Sequence, residues 1–327
     1  MSVTRKIVIL GVGGTIAGQG PAQGGGVGYQ AGQIGVDALV APVIAGISQA
    51  LDGPLSFEME QITQLDSKDM DVNTWQRLAS SCTRWLARQD VTGLVITHGT
   101  DTLEETAWFL QCVLQPTKPV VMTCAMRPAT ALSADGPANL RDALYVAGQS
   151  QPGVWVVTAG EVHAAHAVRK VHPYRVNAFT SGPQGPAAWI EEGCVRWVNP
   201  STGSYAQSTS VPIETWRQNE SEWPWVEIIT STAAANPRMV EALVNAGVQG
   251  LVIAATGNGS VHQALLHKLQ KAQQAGIWVW RTTRCEQGQL VLARGETDAR
   301  ASTLSPVKAR ISMMLELLQR GDSRFAV

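Results

Sequence analysis

Hydroxyl and carboxyl side chains follow two apolar runs of this chain, each time in a turn that contains glycine. The run 7–10 leads into a turn with Thr15, and the run 94–96 leads into a turn with Thr100 and Asp101. Short apolar runs of this kind are typical of buried strands, and ligands bind beyond the carboxyl ends of strands in open α/β sheets. We therefore predict a single site that both turns form.

The residue types available to this site are those that hydrolysis of a side-chain amide needs. A threonine hydroxyl becomes a nucleophile when a base lies within hydrogen-bond reach, and donors must stabilise the developing oxyanion. A lysine can be that base if burial or nearby positive charge lowers its pKa. The chain offers Thr15, Thr100, Asp101 and Lys170, with Tyr29 as a further hydroxyl. Bringing Lys170 beside Thr100 requires tertiary contacts between distant parts of the chain.

Alternating strands and helices are predicted to position these side chains. The predicted strands are 6–10, 93–97, 119–124 and 154–158, and the predicted helices are 37–51, 73–88, 103–114 and 138–147. Such alternation is typical of βαβ units and a mainly parallel sheet. Thr102 is the predicted N-cap of the helix 103–114, where Glu105 would complete a capping box.

The length of 327 residues suits two domains. A stretch rich in Pro, Gly, Ser and Thr predicts the connection at 191–213. The fold class is therefore α/β, with a larger domain at 1–190 that carries the catalytic residues and a smaller α/β domain at 214–327. In the smaller domain the predicted strands are 225–229, 250–255 and 277–281, the helices are 237–246 and 261–275, and Ser305 caps a closing helix.

One glycine-rich segment, 18–28, has six glycines among eleven residues, and Tyr29 follows it directly. Such a segment cannot pack a core, and its conformational freedom suits a lid over a site. We therefore predict that this segment covers the site and that Tyr29 lies at its end.

Charge and hydropathy exclude several classes of function. The 25 basic and 26 acidic residues give a net charge of −1, without a basic run for nucleic acid. The apolar stretches fall short of the ~20 residues that span a bilayer, and residues 1–6 lead directly into the first strand. We therefore expect neither nucleic-acid nor membrane partners, and a cytoplasmic protein.

The five cysteines are scattered and form no CxxC pair. This pattern argues against a structural metal site and for free thiols in a reducing compartment. Each cysteine is interpreted as a small buried hydrophobe, and His98 is interpreted as a structural histidine that supports its turn.

Six short motifs, in order along the chain, resemble signatures of the bacterial-type L-asparaginases. They are Gly13-Gly14-Thr15-Ile16-Ala17, His98-Gly99-Thr100-Asp101-Thr102, Ala125-Met126-Arg127-Pro128, Ser133-Ala134-Asp135-Gly136-Pro137, Ala167-Val168-Arg169-Lys170-Val171-His172 and Gly257-Asn258-Gly259-Ser260. The resemblance covers essentially the whole chain. It implies an amidohydrolase that needs no cofactor and no metal.

The resemblance also implies roles for individual residues. Thr15 would attack the amide carbon to form an acyl-enzyme, and Tyr29 would assist once the lid closes. Thr100, Asp101 and Lys170 would form a second triad.

For substrate binding, the resemblance implies that Ser67 holds the α-carboxylate and Asp101 the α-amino group, with Asp66 helping through its backbone. Backbone groups near Thr100 and the carbonyl of Ala125 would frame the scissile amide. The family assembles as homodimers or homotetramers whose sites lie between subunits, and Ser260 would come from the neighbouring subunit. Lys68 departs from the glutamine that is common in the exported members.

The predicted function is hydrolysis of L-asparagine to L-aspartate and ammonia. A glutaminase-asparaginase of broader specificity is the first alternative, and a non-catalytic amino-acid sensor is a distant one. A dinucleotide-binding oxidoreductase is disfavoured because Ile16 stands where the third glycine of its fingerprint should be. A subunit of a tRNA-dependent amidotransferase is disfavoured because the sequence gives no sign of an RNA-binding surface.

Overall fold

The computed structural model describes residues 5–20, 28–47, 55–198, 211–217, 223–292 and 301–320. The chain forms two compact units, residues 1–210 and residues 211–327. Among the described helices, none combines the length and the apolar character that crossing a membrane requires.

The first unit is built on ten described strands and four helices. The strands are β1 (Arg5–Gly13), β2 (Leu55–Leu65), β3 (Val91–Thr97), β4 (Pro119–Thr123), β5 (Gly153–Thr158), β6 (Glu161–Ala164), β7 (Arg169–Lys170), β8 (Phe179–Thr180), β9 (Ala188–Glu191) and β10 (Cys194–Trp197). The helices are α1 (Val36–Ile47), α2 (Val72–Leu86), α3 (Leu103–Leu114) and α4 (Gly136–Ala147).

Eight of these strands form one sheet in the order β10-β9-β6-β5-β4-β3-β1-β2. The strands from β5 to β2 pair in parallel, whereas β6, β9 and β10 extend the sheet in antiparallel pairs. Because β1 lies between β2 and β3, the carboxyl ends of these three strands meet at one edge. This arrangement confirms the predicted mainly parallel sheet and positions its polar turns side by side.

The core of the first unit lies on both faces of the parallel strands. Ile7 and Ile9 of β1 belong to a buried cluster with side chains of α1 and α4, such as Val40 and Leu144. Successive side chains of a strand point to opposite faces, so Val8, which is also fully buried, faces the other side. Helices α2 and α3 pack together beside β3 and β5. Burial on both faces explains why the central strands read as continuous apolar runs.

The second unit is a smaller α/β structure. Its elements are α5 (Ile213–Trp216), β11 (Val226–Thr230), α6 (Arg238–Asn245), β12 (Gly250–Ala255), α7 (Gln263–Gln274), β13 (Trp278–Thr283) and α8 (Pro306–Arg320). The three strands pair in parallel in the order β11-β12-β13. Helices α6 and α7 bury a cluster against this sheet that includes Leu251 and Leu265. The predicted α/β character of this part is confirmed.

The segment 191–213, predicted as the connection, contains β10, and its residues 199–210 lie outside the described residues. Two other local predictions differ from the structure. Cys194 and Cys285 are exposed, so the interpretation as buried hydrophobes holds only for the other three cysteines. Cys194 lies on β10, the last strand at one edge of the sheet. The buried hydroxyl of Ser305 has no hydrogen-bond partner among the described residues, so this side chain does not cap α8.

Candidate active site

Thr15 lies in a short 3₁₀ turn, Thr15–Ala17, at the carboxyl end of β1. Its side chain is buried, and its Oγ1 is 2.6 Å from the hydroxyl of Tyr29. A backbone pair between Gln19 and Gln30, with both hydrogen bonds at 2.9 Å, brings Tyr29 back to this turn. Residues 21–27 of the predicted lid lie outside the described residues.

Glycines allow three turns to pack directly on one another. A Cβ added to Gly14 would lie 2.2 Å from the Cα of Gly99, and one added to Gly99 would lie 2.4 Å from Oγ of Ser67. Such distances leave room only for hydrogen, and the φ of 80° at Gly14 also favours glycine. The turns that carry Thr15, Ser67 and Thr100 are therefore in contact, as the sequence predicts for Thr15 and Thr100.

A lysine, a carboxylate and a hydroxyl meet at the second turn. Nζ of Lys170 lies 2.8 Å from Oγ1 of Thr100 and 2.6 Å from Oδ1 of Asp101. The Lys170 side chain is 16% exposed and the Asp101 side chain 55% exposed. Lys170 thus has its ammonium in a partly buried site, where it donates to both groups. The structure thus brings Lys170 to the adjacent pair Thr100 and Asp101, which lies 70 and 69 residues earlier in the chain.

The third turn, Ser67–Asp69, follows β2 and carries Ser67. This side chain is buried, and its Oγ accepts a hydrogen bond of 3.1 Å from the backbone N–H of Asp101. Asp66 caps the turn, because its carboxylate accepts from the backbone N–H of Lys68 at 3.4 Å. Ser67 and Asp66 therefore lie beside Asp101, although neither belongs to a recognisable catalytic motif in the sequence.

The Thr102 half of the predicted capping box at α3 is wrong. Thr102 occupies the N-cap position, but its side chain makes no bond to the helix that it precedes. Its hydroxyl instead donates to the carbonyl of Ser67 at 2.7 Å. The contact between the second and third turns takes precedence over local capping.

Lys68 adds a positive charge at the same edge of the sheet. Its ammonium forms a hydrogen bond with Asp69 and lies 3.8 Å from the carboxylate of Asp66. The bond with Asp69 raises the pKa of Lys68, and this side chain is well exposed. Lys68 therefore remains charged at neutral pH.

Ala125 lies just after β4 and is almost completely buried. It packs against Ile16 and Ala17, which directly follow Thr15. Two polar side chains of α4 and its N-cap hold the neighbouring backbone: Asn139 donates to the carbonyl of Cys124, and Asp135 accepts from the N–H groups of Met126 and Arg127. The sequence motifs contain Asp135, but sequence reasoning assigned no role to it or to Asn139.

His98 is fully buried at the start of the second turn. Its Nδ1 lies 2.7 Å from the carbonyl of Gly99, so Nδ1 carries the ring proton and donates it to this acceptor. Nε2 has no hydrogen-bond partner among the described residues. Burial lowers the pKa of His98 to about 4. A neutral ring in this position agrees with the interpretation as a structural histidine rather than a base.

We expect the His98 ring to stay neutral at pH 5.5 and its burial to destabilise the protein in acid. In the unfolded chain the His98 ring becomes protonated at about pH 6.5, whereas in the folded chain it becomes protonated only near pH 4. The free energy of unfolding therefore falls as the pH drops through this window, by up to about 1.4 kcal/mol per pH unit from this group. Ring ¹⁵N chemical shifts of labelled protein measure the protonation. A charged ring already present at pH 6 would contradict this expectation.

Ser260 belongs to the second unit. It lies in the loop after β12, where its backbone exchanges hydrogen bonds of 3.0 and 2.9 Å with Thr256, and its side chain is exposed. The other predicted residues all lie in the first unit.

The arrangement supplies the groups that amide hydrolysis needs. Thr15 is a buried hydroxyl with the Tyr29 phenol as proton partner, and Thr100 is a second hydroxyl with an amine and a carboxylate beside it. Backbone N–H groups of the turns are available as donors to an oxyanion.

Two family models match the chain, and together they cover most of its length. The model described as "Asparaginase, N-terminal" matches residues 6–202, and the model described as "Glutaminase/Asparaginase C-terminal domain" matches residues 225–325.

Curated relatives match over nearly the whole chain. A probable periplasmic L-asparaginase of Haemophilus influenzae is 36% identical over 98% of this chain and 90% of its own. L-asparaginase 2 of Escherichia coli is 36% identical over 97% and 90% of the two chains. A glutaminase-asparaginase of Pseudomonas fluorescens is 34% identical over 98% and 88%.

A solved structure has the same fold. The crystal structure of a probable cytoplasmic L-asparaginase from Campylobacter jejuni aligns with a TM-score of 0.85 and 33% identity, covering 96% of this chain and 95% of that one.

Proposed function

This chain belongs to the asparaginase family, and from that membership we propose that it hydrolyses L-asparagine to L-aspartate and ammonia. The observation that carries the proposal is the contact of Lys170 with Thr100 and Asp101, in the turn that packs on the turn of Thr15. The proposed steps use side chains, backbone N–H groups and water.

Thr15 is the proposed nucleophile. Its Oγ1 attacks the side-chain amide carbon as its proton passes to the Tyr29 oxygen, 2.6 Å away, and the same proton returns to the Thr15 oxygen when water hydrolyses the ester. The tetrahedral intermediate collapses to an acyl-enzyme, an ester of Thr15, as the carbon–nitrogen bond breaks. Backbone N–H groups near Thr15 and Thr100 stabilise the oxyanion.

Thr100, Lys170 and Asp101 are the proposed proton relay. The leaving nitrogen requires a proton, and the chain Lys170–Thr100 can supply it because both heavy atoms lie within hydrogen-bond distance. The neutral amine that results then accepts a proton from the water that hydrolyses the ester. Asp101 holds the amine in place through the contact of 2.6 Å.

The proposed substrate contacts follow the positions of the same turns. Ser67 binds the α-carboxylate, Asp101 binds the α-amino group through its exposed carboxylate, and Asp66 contributes through its backbone. The backbone at Thr100 and the carbonyl of Ala125 frame the amide.

We also propose a cytoplasmic homodimer or homotetramer in which Ser260 completes the site of a neighbouring subunit. The likeness to the probable cytoplasmic L-asparaginase from Campylobacter jejuni supports the location. Sedimentation at low micromolar concentration measures the assembly, and a monomer with full activity would overturn the role of Ser260.

Turnover of the two amide substrates tests the proposed function. We expect purified protein to release ammonia from L-asparagine without added cofactor, and to do so with a higher kcat/KM than from L-glutamine. A broader glutaminase-asparaginase is the second candidate, because the relative from Pseudomonas fluorescens carries that name. The substrates differ by one methylene, so about 10–200-fold separates a selective enzyme from a broad one. Binding of L-asparagine without ammonia release would instead indicate a sensor.

A further inference from the structure

Asp135 occupies the N-cap position of α4 but does not cap it. An aspartate there normally accepts from an N–H of the first helical turn, yet Asp135 makes no such bond. Its two carboxylate oxygens instead accept from the backbone N–H groups of Met126 at 2.9 Å and Arg127 at 3.0 Å. The side chain is therefore committed to the loop that follows β4.

Asn139 lies one turn further along α4 and serves the same loop. Asparagine is a poor residue for a helix interior, and this one is 3% exposed. Its Nδ2 donates to the carbonyl of Cys124 at 2.9 Å, and its Oδ1 accepts from the N–H of Ala159 at 2.9 Å. Both ends of the amide are thus used outside the helix.

Together these bonds fix the two peptide groups on either side of Ala125. The peptide group between Ala125 and Met126 is planar and trans, so the carbonyl of Ala125 points away from the Met126 N–H that Asp135 holds. Asn139 holds the preceding peptide group through the Cys124 carbonyl. With both groups held, the direction of the Ala125 carbonyl is set by side chains of a rigid helix.

The same loop is close to the proposed nucleophile. Ala125 packs against Ile16 and Ala17, and a Cβ added to Gly136 of α4 would lie 3.0 Å from Ile16 and 3.4 Å from Ala125. Helix α4, Ala125 and the turn of Thr15 are therefore closely packed. We call the hydrogen bonds of Asp135 and Asn139 to this loop the brace. A shift in the brace would move the Ala125 carbonyl relative to Thr15.

We propose that Asp135 and Asn139 are positioning residues that aim the Ala125 carbonyl at the N–H of the scissile amide. The inference rests on the proposed function and deepens it. A carbonyl oxygen can only accept a hydrogen bond, so its ligand must donate one. The substrate amide offers an N–H, whereas the product carboxylate offers only acceptors. The Ala125 carbonyl, held by these two residues, therefore binds the amide of the substrate and not the carboxylate that the reaction forms.

Asp135→Asn is the first test, with Asn139→Ala as a second. The asparagine keeps the shape of Asp135 but sets an NH₂ group against one of the two N–H groups. Alanine removes all three hydrogen bonds of the Asn139 side chain, including one of 3.4 Å to the Asp135 carboxylate, and preserves helix propensity. For each variant we expect kcat with L-asparagine to fall about 30–100-fold, as for a reacting group displaced by a fraction of an ångström. The inhibition constant of L-aspartate should change by less than about threefold, since this ligand makes no use of the carbonyl.

Ser133→Ala is the matched control. It removes a hydrogen bond of 2.7 Å with the Arg127 side chain in the same loop but none to the backbone beside Ala125, and its kcat should stay unchanged. If kcat falls and the inhibition constant of L-aspartate rises by the same factor, the two residues have a merely structural role and the proposal is overturned. Unchanged kcat in a folded Asp135→Asn or Asn139→Ala variant would overturn it too. A wild-type protein that binds L-aspartate but has no amidase activity would instead refute the proposed function itself.

Discussion

Replacement of Thr15 by alanine is expected to lower kcat for L-asparagine by at least about 10³-fold, because it removes the proposed nucleophile of a covalent mechanism. Thr15 is buried in the turn after β1, and its Oγ1 contacts the Tyr29 hydroxyl at 2.6 Å. Removing the Oγ1 atom leaves Tyr29 without the group that it would activate. Ammonia release under saturating L-asparagine measures the loss.

Two further variants separate chemistry from packing. Thr15→Ser keeps the hydroxyl and should retain turnover within about tenfold of the wild type, whereas Thr15→Val keeps the volume and should be as inactive as Thr15→Ala. All three should melt cooperatively within a few degrees of the wild type, since the turn is held by its glycines and backbone. Turnover by Thr15→Val within tenfold of wild type would exclude Thr15 as the nucleophile.

The polar turns could be predicted because strand and turn have separate sequence signals. Apolar runs such as 94–96 mark the buried parallel strands, and β12 and α3 have the predicted bounds. A hydroxyl and a carboxylate at a strand end then fall at the edge where β1 and β3 meet. What such patterns lack is contact information, so the packing of Gly14 on Gly99 emerges only from the structure.

Lys170 shows where sequence patterns fail. It lies on β7, a strand of only two residues that pairs with β8 rather than with the main sheet. Two residues carry no periodicity, and the contact with Thr100 joins positions 70 residues apart. The resemblance to a known family supplied the role of Lys170, and its geometry comes from tertiary structure alone.

Strand β2 carries a sequence signal of its own. Its first half, Leu55–Glu60, alternates apolar and polar residues as a half-exposed strand does. Recognising β2 would have placed Ser67 at a strand end like Thr15 and Thr100. The brace of Asp135 and Asn139 is harder to predict, because an aspartate at an N-cap normally indicates a cap and nothing else.

Loss of the Lys170 amine is expected to lower kcat by about 10²–10⁴-fold, the range for a group that transfers protons in the reaction. Lys170→Met removes the charge but keeps the length of the stem. The hydroxyl of Thr100 would then lose a donor at 2.8 Å, and the carboxylate of Asp101 a cation at 2.6 Å. Single-turnover kinetics with L-asparagine would locate the defect in formation or hydrolysis of the acyl-enzyme.

Lys170→Arg decides between proton transfer and charge alone. A guanidinium keeps the positive charge beside Asp101, but it cannot lose a proton in a protein. If Lys170 transfers protons, the arginine variant should be nearly as inactive as Lys170→Met, while both still bind L-aspartate through Ser67 and Asp101. If Lys170→Arg keeps more than about a tenth of the wild-type kcat, the amine only orients Asp101 and Thr100, and the relay is wrong. The outcome depends on chemistry and not on packing, because the Lys170 stem is present in both variants.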